Sequence, residues 1–120
     1  MTTRQTPASL SAREWFDRGN DLRRAGDPAG ALDAFRNSIR GDPRNAAPWI
    51  GLAQVLEANG QLEDARQCLR QAVRANPDHP VARLQLAHAH KNLGHIEDAR
   101  GEYKAVLAKD RGSAPAHFGM

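Results

Sequence analysis

Gly60-Gln-Leu-Glu-Asp-Ala-Arg66 is followed, 34 residues on, by Gly94-His-Ile-Glu-Asp-Ala-Arg100. The same interval upstream finds Gly26 with Ala31, spaced as Gly60 is from Ala65 and Gly94 from Ala99. A fixed period of this size is the mark of a solenoid, whose units bury their apolar faces only against one another. Function in such an array is expected on the extended surface of the stack rather than in one closed catalytic pocket.

Each period reads as a helical hairpin. Ser11 and Glu14 make a capping box, so a helix is expected from there to about Ala25, ended by Gly26. Asp27-Pro28 opens the next, with Asp as cap and Pro where its missing N–H costs nothing, and Gly41 closes it. The same grammar predicts helices over about 46–59, 62–75, 80–93 and 96–109, with Asp78 a candidate cap. Ser113 would cap a further start, Ala114 to Met120. Residues 1–10 lack helical periodicity and are expected to be a flexible arm ahead of one domain over 11–120. The short loops make neighbouring helices antiparallel. The fold class is therefore all-α: a solenoid of three antiparallel hairpins plus a short C-terminal helix.

Small residues recur where two helices must approach closely: Gly19, Ala53 and Ala87 in one row, Ala31, Ala65 and Ala99 in the other. Larger ones recur where hairpins meet: Leu22 and Leu56, then Phe35, Leu69 and Tyr103. No hairpin can bury its apolar face alone, so about three are needed for stability.

This pattern resembles the tetratricopeptide repeat, or TPR, whose signature is Trp, Leu-Gly and Tyr on the first helix, Ala and Phe on the second, then Pro. Residues 12–45 supply Trp15, Gly19, Leu22, Ala31, Phe35 and Pro43; residues 46–79 supply Trp49, Leu52, Ala53, Leu56, Ala65, Leu69 and Pro77. Residues 80–113 supply Arg83, Leu86, Ala87, His90, Ala99, Tyr103 and Arg111, losing the tryptophan and the closing proline. The resemblance implies a TPR superhelix in which the first helix of each hairpin lines a concave groove. On that basis Phe16, Ile50 and Leu84 form an apolar groove row, with Asn20, Gln54 and His88 four residues further along the same face. Amides both donate and accept, which suits the backbone of a bound peptide. The competing reading makes the apolar row part of the core.

Chaperone-binding members of the family hold a C-terminal carboxylate with Lys and Asn on the first groove helix, Asn on the second, and Lys and Arg on the third. The matching residues here are Phe16, Asn20, Gly51, Val81 and Gln85, of which only Asn20 fits. The cations that would make charge-assisted bonds to a carboxylate are missing.

The expected function is a protein–protein interaction scaffold that binds a peptide or partner helix, with no catalytic residue and no cofactor. Two alternatives stand beside it. The chain can be the amino-terminal TPR segment of a larger bacterial enzyme, such as a TPR-fused transferase. Or a basic convex face, built on Arg36, Arg70 and Lys104 with their neighbours, can bind nucleic acid or another polyanion. The charge argues only weakly for the latter: 17 basic residues face 14 acidic ones, a net charge of +3. Glu63-Asp64 and Glu97-Asp98 fall in the first turns of helices, where the macrodipole favours negative charge. His88 and His90 point to different faces, and His88 with His95 would need a helix running through Gly94, so no metal site is expected.

No run of 18 apolar residues exists, the N-terminus lacks the core of an export signal, and Cys68 is the single cysteine. A cytoplasmic location is expected, with no membrane contact. At the carboxyl end Tyr103, Val106 and Leu107 would have only Phe118 and Met120 to cover them, which predicts either a longer array or self-association through the last hairpin.

Overall fold

The computed structural model describes residues 10–110. Among them are six helices: α1 (Ala12–Arg24), α2 (Pro28–Gly41), α3 (Ala46–Ala58), α4 (Leu62–Ala75), α5 (Ala82–Asn92) and α6 (Ile96–Asp110). They pair in sequence order as α1 with α2, α3 with α4, and α5 with α6. α2 packs on α3 and α4 on α5. The chain is an all-α helical-repeat solenoid. The helix expected from Ala114, and residues 1–9 of the expected arm, lie outside the described residues.

The caps explain the boundaries. Ser11 Oγ accepts from the Glu14 N–H at 3.0 Å, and Glu14 Oε1 accepts from the Ser11 N–H at 2.8 Å, closing the expected box. Asp27 Oδ1 accepts from the Gly30 N–H at 3.0 Å at the start of α2. Asn45 Oδ1 accepts from the Ala47 N–H at 3.1 Å and caps α3. The fifth helix departs from expectation, beginning at Ala82 rather than about residue 80. Asp78 does not cap it. Its carboxylate instead pairs with the Lys109 ammonium on α6, which holds its pKa below the ordinary aspartate value. The local amide is met by the His79 imidazole, whose Nδ1 accepts from the Val81 N–H at 3.2 Å.

The three turns inside hairpins are the same turn. Gly26, Gly60 and Gly94 have φ of +83°, +81° and +84°, a left-handed conformation that glycine adopts without steric cost. At each, the glycine N–H donates to the carbonyl three residues back (Arg23, Glu57, Lys91). The next N–H reaches five back (Leu22, Leu56, His90). These paired bonds end the first helix and aim the second back along it.

The core holds two connected clusters. Phe35 gathers Ala31, Leu52 and Val55, and a larger group centres on Leu56, Leu69 and Leu86. The small-residue rows sit deep: Ala31, Ala65 and Ala87 are fully buried, and Ala53 and Ala99 nearly so. Ser38 is also buried, and its hydroxyl donates to the Ala12 carbonyl at 2.8 Å, tying the end of α2 to the start of α1.

Candidate functional site

α1 touches α3 and α3 touches α5 directly, so the three first helices stand side by side and offer one face. On that face Phe16, Asn20, Ile50 and Gln54 converge on a single depression of about 240 Å³, completed by Ala47, Gly51, His79 and Val81. Gln54 also lines a second depression of about 280 Å³ with Arg23, Pro28 and Val55. His79 also lines a third, of about 520 Å³, with Leu84, Arg83, Val106 and Lys109. A path from Arg23 past Gln54 and His79 to Leu84 thus runs over neighbouring hollows.

The six groove residues named from the sequence take unequal places. Ile50 is 7% exposed and belongs to the core, with only its edge on the depression. Phe16 is half-buried, its ring tilted against Phe35 with centroids 5.9 Å apart. Asn20 and Gln54 are half-buried and polar, and Asn20 Oδ1 accepts from Arg23 Nη2 at 3.2 Å. Leu84 sits in the neighbouring hollow. His88 lines none of these hollows. Its ring lies 5.8 Å from that of Tyr103, and its charge offsets part of the burial that pushes the Glu57 carboxyl above its ordinary pKa.

Val81 enters the groove as a clamp-equivalent position, whereas Ala47 and His79 join it unmarked by the repeat. Ala47 is within reach of the period, since Val81 follows it by 34 residues and it lies one helical turn before Ile50. His79 is not, because its place depends on the loop conformation ahead of α5. Four of the five residues that match the carboxylate clamp (Phe16, Asn20, Gly51 and Val81) share the one depression. The walls of the hollow are apolar and amide with one imidazole, His79, and carry no Lys or Arg.

Elsewhere, several charges on the second helices are paired within one helical turn. Arg36 pairs with Asp33 at 3.8 Å, Arg100 with Glu97 at 3.8 Å, and Arg66 with Glu63. Hydrogen bonding to Arg66 holds the Glu63 carboxyl low. Cys68 is half-buried on α4, and burial, with the Asp64 carboxylate nearby, pushes its thiol up to about 11. A thiol so protonated at neutral pH is a poor nucleophile. At the far end, Tyr103 and Val106 are half-buried, while Leu107 and Ile96 are 50% and 51% exposed beside a shallow hollow. Phe118 and Met120, expected to cover that end, lie outside the described residues. No described helix is long and apolar enough to cross a membrane.

A stack of three such hairpins, with a repeat of 34 residues and a small-residue row at each interface, defines a helical-repeat protein. The sequence profile of the tetratricopeptide repeat matches residues 22–78 and 68–118, and the chain belongs to that family. No curated protein matches the sequence closely. Among solved structures, the second TPR of Spaghetti (RPAP3), bound to an HSP90 peptide, is similar at 23% identity and a TM-score of 0.74. That match covers 82% of this chain and 92% of that one. The TPR2B domain of yeast Sti1, in complex with an Hsp70 peptide, is similar at 20% identity and a TM-score of 0.77, covering 88% and 86%. MamA is similar at 20% identity and a TM-score of 0.79, covering 85% of this chain and 60% of that one. At these identities the likeness concerns the fold.

Proposed function

We propose that the chain is a non-catalytic protein–protein interaction scaffold that takes a peptide or partner helix in the groove of α1, α3 and α5. The observation that carries this reading is the convergence of Phe16, Asn20, Ile50 and Gln54 on one depression. Apolar walls would take side chains of the ligand, and the two amides would bond its backbone. TPR neighbours that hold chaperone peptides support the use of this fold for peptide capture.

The ligand is not an acidic chaperone tail. A carboxylate-ended peptide needs cations where this chain carries Phe16, Val81 and Gln85. Polyanion binding is the weaker reading, since Arg36, Arg66 and Arg100 stand beside carboxylates and the net charge is only +3. The raised thiol makes Cys68 a poor nucleophile. We place the protein in the cytoplasm, with the last hairpin as a self-association surface.

The test is selection from a displayed peptide library, followed by binding of the enriched sequence to Asn20→Ala/Gln54→Ala. A shared motif that the double variant fails to hold supports the groove. Absence of any enriched motif, or unchanged binding by the variant, refutes it.

A further inference from the structure

The three hairpin turns share one backbone design, and the third differs from the others in its side chains. In each turn the N–H after the glycine donates to the carbonyl five residues back, at 2.9 Å for Asp27 to Leu22 and 2.8 Å for Gln61 to Leu56 and His95 to His90. That bond brings the two residues together. Leu22 meets Asp27 and Leu56 meets Gln61, but the third turn joins two imidazoles, with ring centroids 5.9 Å apart. Three residues further, in the first turn of α6, stands Asp98.

A ring nitrogen of His90, a ring nitrogen of His95 and a carboxylate oxygen of Asp98 all lie within 4.8 Å of one another. His90 is 6% exposed, and its Nδ1 is buried without a hydrogen-bond partner. The other two side chains are exposed. We propose that His90, His95 and Asp98 form a site for a divalent transition-metal ion of the zinc type.

The donor set selects the ion. Two imidazoles and one carboxylate suit zinc, nickel or copper, whereas calcium and magnesium prefer oxygen. Zinc bonds to nitrogen of about 2.0–2.1 Å require donors about 3.3 Å apart in a tetrahedral arrangement. His95 and Asp98 lie at the surface, where rotamer changes can close that gap while the buried His90 stays fixed. Three protein donors leave one position for water.

The charged surroundings are mixed. Arg66 on α4 approaches the cluster, but it is bonded to Glu63 on its own helix. Glu102 on α6 also faces His90 and pairs with Arg83 of α5 at 2.9 Å. Three carboxylates (Asp98, Glu102 and Glu63) stand against two guanidiniums, so the balance favours a cation. A bound ion would tie the end of α5 to the start of α6 in the hairpin that lacks the family's tryptophan and closing proline.

The experiment titrates untagged, chelator-treated full chain with zinc chloride by calorimetry, alongside thermal unfolding. One ion per chain should bind, and saturating zinc should raise Tm by about 5 °C or more. His95→Gln and Asp98→Asn change exposed side chains and should keep the helical circular dichroism. Each should weaken zinc at least ten-fold and abolish the Tm rise, while His88→Gln binds as wild type does. Magnesium and calcium should have no effect. Absence of a zinc-dependent Tm rise in the wild type, or zinc binding by His95→Gln and Asp98→Asn equal to wild type, overturns the proposal.

Discussion

The Phe35 ring occupies the space that a side chain at Gly51 would need. A Cβ built on Gly51 would lie 2.6 Å from the ring, and one on Gly19 would lie 2.7 Å from it. Phe35 on α2 is therefore held between the backbones of α1 and α3, fully buried. This contact joins the first hairpin to the second and keeps the groove floor without a side chain at that point.

Gly51→Ala should therefore destabilise the fold by about 1–3 kcal/mol through overpacking, although alanine is the better helix former. The second hairpin shows how the clash is relieved, with Leu69 at the position equivalent to Phe35 and Gln85 at that of Gly51. Adding Phe35→Leu to Gly51→Ala should cost less than the sum of the single changes by at least about 0.5 kcal/mol. Urea unfolding of the four proteins measures this coupling, and strict additivity would count against the contact.

The same contact bears on the carboxylate clamp. The family's second groove helix places Asn where this chain has Gly51, and Phe35 excludes it. With the Lys and Arg positions also lost, a peptide ending in Met-Glu-Glu-Val-Asp should bind no better than its scrambled form. Fluorescence polarisation with both peptides decides this, and tight binding that needs the terminal carboxylate would sink the idea.

Cys68 gives a chemical test of burial. Its thiol, pushed up to about 11, should react with iodoacetamide at pH 8 at least ten-fold more slowly than in urea-unfolded chain. In the unfolded chain the thiol returns to its ordinary range of about 8.5. Equal rates in both states would show that the α4 environment is open.

The last hairpin leaves Leu107 and Ile96 half exposed. Sedimentation velocity across a concentration series should therefore show reversible association, weakened by Leu107→Glu. A chain that stays monomeric at the highest concentration would remove the self-association surface from the account.

Much of the fold was legible because one period carried it. The glycine at each turn, the capping box at Ser11 and the rows of small residues are local signals, and each unit repeats them. The start of α5 is less legible, since Asp78 pairs with Lys109 on α6 and no side chain caps the helix. The site was less legible. Period 34 put Phe16, Asn20, Ile50 and Gln54 on one face, but only packing shows that Ile50 is mainly core. His88 lines none of the described hollows beside them, and its ring stands against Tyr103 on the paired helix. The His90–His95 pair does not show in the spacing along a continuous helix. A left-handed glycine turns the chain back, and residues five apart meet across it.

The central claim is that the groove between α1 and α3 binds a peptide through Asn20 and Gln54. Its most direct test is the dissociation constant of a library-selected peptide for wild type and for Asn20→Ala/Gln54→Ala, with helicity checked by circular dichroism. The account predicts at least a ten-fold loss of affinity with unchanged helicity. An affinity equal to wild type in a fully helical double variant would contradict it.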